Sequence, residues 1–125
     1  SVTVDHVGDL YAGTKSGIRR STDSGATWHT ETTRPVTFRV ATTAAGQVLA
    51  AGDAGVQLSP HWEPLGVLGR RAWAVFEVGP GHVLAATLTE GIFQYLDGTW
   101  SPLPNGPPDW QAYCFLRSST GRILV

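Results

Sequence analysis

The sequence predicts an all-β chain built from a repeated unit of four short strands, and three observations carry that expectation. The composition comes first: 15 Gly, 8 Pro, no Met and many Thr and Val leave few strong helix formers and place turn residues throughout. A pattern anchored on glycine then recurs, as Gly8-Asp9-Leu10-Tyr11-Ala12-Gly13, Gly46-Gln47-Val48-Leu49-Ala50-Ala51, Gly81-His82-Val83-Leu84-Ala85-Ala86 and Gly121-Arg122-Ile123-Leu124-Val125, at intervals of 38, 35 and 40 residues. A second glycine with a β-branched neighbour follows nine, nine and ten residues later, at Gly17-Ile18, Gly55-Val56 and Gly91-Ile92. Ahead of the anchors, Phe38 and Val40, Trp73 and Val75, and Tyr113 and Phe115 flank Arg39, Ala74 and Cys114. That alternation has the period of a strand with one face in a core.

Taken in order, the repeat divides the chain into units at about residues 1–33, 34–68 and 69–108, with a partial unit at 109–125. In the second unit, strands are expected near Val36–Thr42, Gln47–Ala51, Val56–Ser59 and His61–Pro64. In the third they fall near Ala72–Val78, His82–Thr87, Ile92–Tyr95 and Thr99–Leu103, and no helix is expected. The small residues Gly13, Ala51 and Ala86 share one register position, where a unit should pack closely on its neighbour. Four strands in about 35 to 40 residues is the length and content of a β-propeller blade, so the expectation is three blades plus the first half of a fourth. Propellers usually close with about 4 to 8 blades. A piece of a longer propeller, or copies that associate to close a ring, is therefore expected. The absence of Met agrees with a chain that begins inside a longer one or after processing.

Several function classes lose support. The formal charge of −1, from 9 basic and 10 acidic residues, supplies no broad positive field for nucleic acid or anionic lipid. No apolar run approaches the ~18 residues of a membrane span, and the first ten residues lack a signal-peptide pattern. A single Cys114 excludes an internal disulfide framework, and His6, His29, His61 and His82 lack metal-ligand spacing, so no metal or cofactor is expected. Gly13-Thr14-Lys15-Ser16-Gly17 has the spacing of neither a nucleophile elbow nor a phosphate loop and reads as a hairpin turn. Asn105, followed by Gly106-Pro107, is no glycosylation acceptor.

Between the third and fourth strands of the first unit stands Ser21-Thr22-Asp23-Ser24-Gly25-Ala26-Thr27-Trp28. An aspartate there can accept hydrogen bonds from turn amides, a glycine takes the positive φ of a tight turn, and a tryptophan can anchor the outer strand. The S-x-D-x-G-x-T-W pattern resembles the Asp-box of sialidase-like and related β-propellers. Tyr95-Leu96-Asp97-Gly98-Thr99-Trp100 keeps Asp97, Gly98, Thr99 and Trp100 with a shorter turn, while Ser59-Pro60-His61-Trp62 keeps only Ser and Trp. The resemblance implies a propeller whose boxes lie on the outer rim, so Ser21, Asp23, Gly25, Thr27, Trp28 and Asp97–Trp100 take structural roles. It favours an extracellular or periplasmic location without fixing the compartment. Such propellers include glycoside hydrolases, receptors, assembly factors and sensor domains, and fold alone does not choose among them. Phe38-Arg39-Val40 is similar to the segment that supplies a substrate-binding arginine in sialidases, but it lacks that segment's proline and occupies an ordinary strand position.

In a blade, the loops joining second to third strands emerge on the same face as the connections to the next blade. Here these are Thr14–Ser16, Asp53–Ala54 and Leu88–Glu90, with Glu31–Pro35, Leu65–Arg71 and Pro102–Asp109. Variable loops on a repeated scaffold commonly carry specificity, which makes Arg34, Asp53, Arg70, Arg71, Glu90 and Asp109 the candidate ligand-binding residues, with no catalytic residue among them. The expected function is a non-catalytic module that recognises a protein, peptide or glycan, with other copies or further blades as partners. The alternative is a piece of an Asp-box glycoside hydrolase, which needs two carboxyl groups about 5 to 9.5 Å apart. A structural assembly factor is the third reading. Tyr11, Tyr95 and Tyr113 fall on repeat positions and need no catalytic explanation.

Overall fold

The computed structural model describes residues 1–33, 35–87, 90–103, 116–117 and 123–124. Every regular element among them is a strand. The first sheet holds β1 (Val2–Val4), β2 (Leu10–Thr14), β3 (Gly17–Ser21) and β4 (His29–Thr30). In the second are β5 (Thr37–Thr42), β6 (Val48–Gly52), β7 (Gly55–Leu58) and β8 (Glu63–Pro64). The third comprises β9 (Ala72–Gly79), β10 (His82–Thr87), β11 (Ile92–Leu96) and β12 (Thr99–Pro102). A further pair, β13 (Leu116–Arg117) and β14 (Ile123–Leu124), forms a two-stranded sheet. Each strand pairs antiparallel with its neighbour in sequence, so every four-stranded sheet is a simple meander. The expected strands of the second and third units are present, most with ends moved by a residue or two, and the predicted His61–Pro64 strand is reduced to Glu63–Pro64.

Register makes the three sheets equivalent position by position. Tyr11 stands opposite Arg20, Leu49 opposite Leu58 and Leu84 opposite Gln94. Each fourth segment also returns through the same bond, with the amides of Glu31, Leu65 and Leu103 donating to the carbonyls of Ile18, Val56 and Ile92. One repeat therefore fixes one backbone path three times.

The sheets pack against one another through their first and second strands, β5 beside β1 and β2, and β9 beside β5 and β6. Between the first and second sheets, Tyr11 and Ile18 meet Val40, Val48, Ala50 and Trp62. Leu49, Ala51 and Val56 turn the other way, onto Ala72, Val75, Val83, Ala85 and Phe93 of the third-unit segment. Every residue of β6 is buried, because both faces of the central sheet are covered and the usual polar alternation disappears. Burying a side chain such as Ile18 completely contributes about 1.5 to 3 kcal/mol.

The small-residue register position does pack closely. A Cβ on Gly13 would come within 2.8 Å of Thr37 Cγ2 and 3.2 Å of its carbonyl oxygen, while Ala51 and Ala86 are fully buried. On the opposite face of the first sheet, Val2 and Val4 are 61% and 51% exposed. Val40 and Val75, the repeat equivalents of Val2, lie in the intersheet cores. Arg39 is an exposed residue of β5 opposite Ala51, and Phe38 beside it stacks on Trp73 with ring centres 4.2 Å apart.

Candidate functional site

At one end of the sheets, the short β2–β3 and β6–β7 loops meet the segments that lead from each sheet to the next. Ile18 N donates to Thr32 Oγ1 at 3.0 Å, and Asp53 N to the Val36 carbonyl at 3.0 Å. These bonds tie each loop to the adjoining connection and set the walls of an open cleft of about 460 Å³ lined by Lys15, Ser16, Thr33, Pro35, Val36 and Asp53.

Four of the six sequence-predicted residues belong to this end and are paired. Arg71 Nε lies 3.2 Å from Asp53 Oδ1, and Arg70 Nε 3.1 Å from Glu90 Oε2. Each arginine comes from the connection between the second and third sheets, and each carboxylate from a loop on either side of it. The Arg70 guanidinium also sits over the Phe93 ring, 4.4 Å from its centre, a cation–π contact that holds it in place. Its Nε is buried yet makes no geometrically sound hydrogen bond, so the pair with Glu90 is an electrostatic contact with a poorly aimed N–H. Both pairs are substantially solvent-exposed, and such pairs contribute about 0 to 1 kcal/mol. Arg34 and Asp109 lie outside the described residues.

The Ser21–Trp28 turn is closed by its own side chains. Asp23 Oδ1 accepts from Ser21 Oγ and from Thr27 N, both at 2.8 Å, and Asp23 Oδ2 accepts from Thr27 Oγ1. Ser21 Oγ in turn accepts from Gly25 N at 2.9 Å, and Trp28 Nε1 donates to the Gly25 carbonyl at 3.1 Å. Ser24 and Gly25 carry φ of 60° and 93°, the left-handed conformation that favours glycine at the second position. The hydroxyl and amide of Thr27, then the hydroxyl of Ser21, hold the Asp23 carboxyl down to about 2. The carboxylate is spent on the turn.

Asp97 and Gly98 behave differently. With φ of 53° and 82° and Leu96 paired to Thr99, they form a two-residue hairpin of the I′ type, for which Asp-Gly is a favoured sequence. The shortened copy thus reverses the chain by backbone geometry, whereas the Ser21–Trp28 turn uses a side-chain network.

Sequence reasoning missed a charged cluster between the first and second sheets. Arg20 Nε and Nη2 both donate to Asp9 Oδ2, at 3.1 and 2.5 Å, and Nη1 stands 3.6 Å from Glu31 Oε1. Glu31 Oε2 accepts from Trp62 Nε1 at 3.3 Å, and the buried Trp62 ring meets Tyr11 edge-on at 5.9 Å. The bond to Asp9 raises the Arg20 pKa, and burial raises that of Tyr11 despite the nearby guanidinium. Both carboxylates share one arginine, and the phenol is held protonated. This is a strut between sheets. Its signal was present in the sequence, since Asp9 occupies a position that varies to Gln47 and His82 while its surroundings repeat.

Among the described residues, no group of three or more His, Cys, Asp or Glu side chains could hold a metal ion. Cys114 lies outside the described residues. No protein-family model matches the chain, and no curated protein matches it significantly in sequence.

Proposed function

We propose that the chain forms three consecutive blades and the start of a fourth of an Asp-box β-propeller. In this reading it works as a non-catalytic binding module that recognises a protein, peptide or glycan. The supporting observation is the row of loops at one end: Lys15, Asp53, Arg71, Arg70 and Glu90 follow one another across three equivalent sheets beside an open cleft. Exposed ion pairs of small net worth exchange readily for contacts with a ligand. The propeller reading rests on the equivalent meanders and the Ser21–Trp28 network, which has the residues and bonds an Asp-box turn requires. Against a hydrolase stands the state of Asp9 and Glu31, which converge on the one guanidinium of Arg20.

The test is amide-resolved NMR of the chain titrated with neutral and sialylated oligosaccharides and with short acidic and basic peptides. Shifts gathered at the amides of residues 15, 16, 33, 36, 53, 70 and 71, with the added compounds unchanged after long incubation, are expected. Release of a reducing sugar would move the assignment to the hydrolase. Binding that leaves those residues unmoved would remove the loop end from the account.

A further inference from the structure

The opposite end of the second and third sheets holds an apolar cleft of about 370 Å³. Its walls follow from the repeat. Gln47, Leu49, Leu58 and Leu65 line one side, and they are the register equivalents of Asp9, Tyr11, Arg20 and Glu31. Between the first two sheets those four positions hold the charged strut that fills the space. Between the second and third they hold leucines and a glutamine, which are too short to cross it.

The facing wall is firm. Tyr95 packs on Trp100 with ring centres 5.3 Å apart, and a Cβ on Gly66 would already be 2.9 Å from the Tyr95 ring. Trp100 is fixed in turn by its Nε1 donating to the Leu65 carbonyl at 2.6 Å. At the mouth, Glu77 spends Oε1 on the Ala44 amide at 2.9 Å. The cleft continues past Leu58 into a second recess edged by Glu63 and His61. Among the described residues, no lysine or arginine lines either space.

We infer that this cleft is a binding site for a small aromatic or alicyclic amine, its apolar body between Leu58 and Tyr95 and its ammonium group toward Glu77. The volume lies within the range of small-ligand pockets, about 300 to 1,000 Å³. An apolar lining favours a flat hydrocarbon body over water, and carboxylates with no lysine or arginine among the described lining residues select the sign of the head group.

Three probes with one indole body and different heads test the site by protein-observed NMR: tryptamine, tryptophol and indole-3-acetate. All should bind weakly, with tryptamine dissociating on the order of 1 mM for so few atoms. Tryptamine should bind about two- to fivefold more tightly than tryptophol, as a partly exposed charge pair allows, and indole-3-acetate most weakly. Glu77→Gln keeps the acceptor for Ala44 and should reduce tryptamine to the tryptophol level. Leu58→Arg places in the cleft the residue that the first sheet carries at that position, and should abolish binding of all three, while Leu58→Met should retain it. Equal binding of the three probes, failure of all three to bind at 10-fold higher concentration, or tryptamine binding that survives a folded Leu58→Arg protein would overturn the assignment. If Leu58→Arg does not fold, the Glu77→Gln comparison decides alone.

Discussion

Two interfaces between neighbouring sheets are built on the same register and solved with opposite chemistry. Between the first and second sheets, Asp9, Tyr11, Arg20 and Glu31 close the gap with a charged strut under Trp62. Between the second and third, Gln47, Leu49, Leu58 and Leu65 leave it open beneath Trp100. The tryptophans play the same part, each indole N–H donating to the equivalent residue of the preceding unit, to the Glu31 side chain in one case and to the Leu65 carbonyl in the other. The repeat fixes where side chains meet. Their volume and charge then decide whether the meeting place is strut or cavity.

Truncating the three outer tryptophans should separate the interfaces most strongly. Trp62 is buried against Tyr11, so Trp62→Ala should cost about 3 to 5 kcal/mol. Trp100 is only half-buried, and Trp100→Ala should cost about 1 to 3 kcal/mol. Trp28 is 38% exposed and bonds only within its own turn, so Trp28→Ala should cost least, below about 1 kcal/mol. Urea denaturation of the three variants gives the order, and an inverted order would break the equivalence.

The strut offers the next effect. Arg20→Leu leaves Asp9 and Glu31 facing each other without a cation and should destabilise by about 1 to 3 kcal/mol. In the other interface, Leu58→Arg inserts a cation into space already present, and its cost should be smaller than that of Arg20→Leu at neutral pH. Comparing the two by thermal melting at neutral pH sharpens the contrast.

Asp23 gives the smallest effect and one of definite sign. Its carboxyl titrates at about 2 in the folded chain against an ordinary 3.8, so its contribution is fully present above the ordinary value and is lost as pH falls toward 2. Asp23→Asn should therefore flatten the acid limb of stability between those two values and leave Asp97→Asn as a silent control, since Asn-Gly serves an I′ turn as well as Asp-Gly. Identical acid limbs for wild type and Asp23→Asn would contradict the turn network.

Much of this arrangement was legible beforehand. The glycine anchors and period-two alternation located the strands of the second and third units, because a buried pleated face leaves that signature directly in residue order. Loop charges such as Asp53 and Arg71 could be named as neighbours of one end, but their pairing is set by side-chain reach across loops and no periodicity encodes it. Asp97 looked like a worn copy of Asp23, although the two-residue Asp-Gly spacing carried the hairpin signal. The cavity was hidden for another reason. Leu49 and Leu58 are unremarkable alone, and only alignment with Tyr11 and Arg20 on a common register exposes the missing volume.

The most direct test of the contrast between the two interfaces is methyl-resolved NMR of the chain under xenon pressure, since xenon enters apolar cavities and spares filled ones. The account predicts pressure-dependent shifts at the methyls of Leu49, Leu58, Leu65 and Val83, with Ile18, Val40 and Val48 unmoved. Equal shifts in both sets, or shifts confined to Ile18, Val40 and Val48, would contradict it.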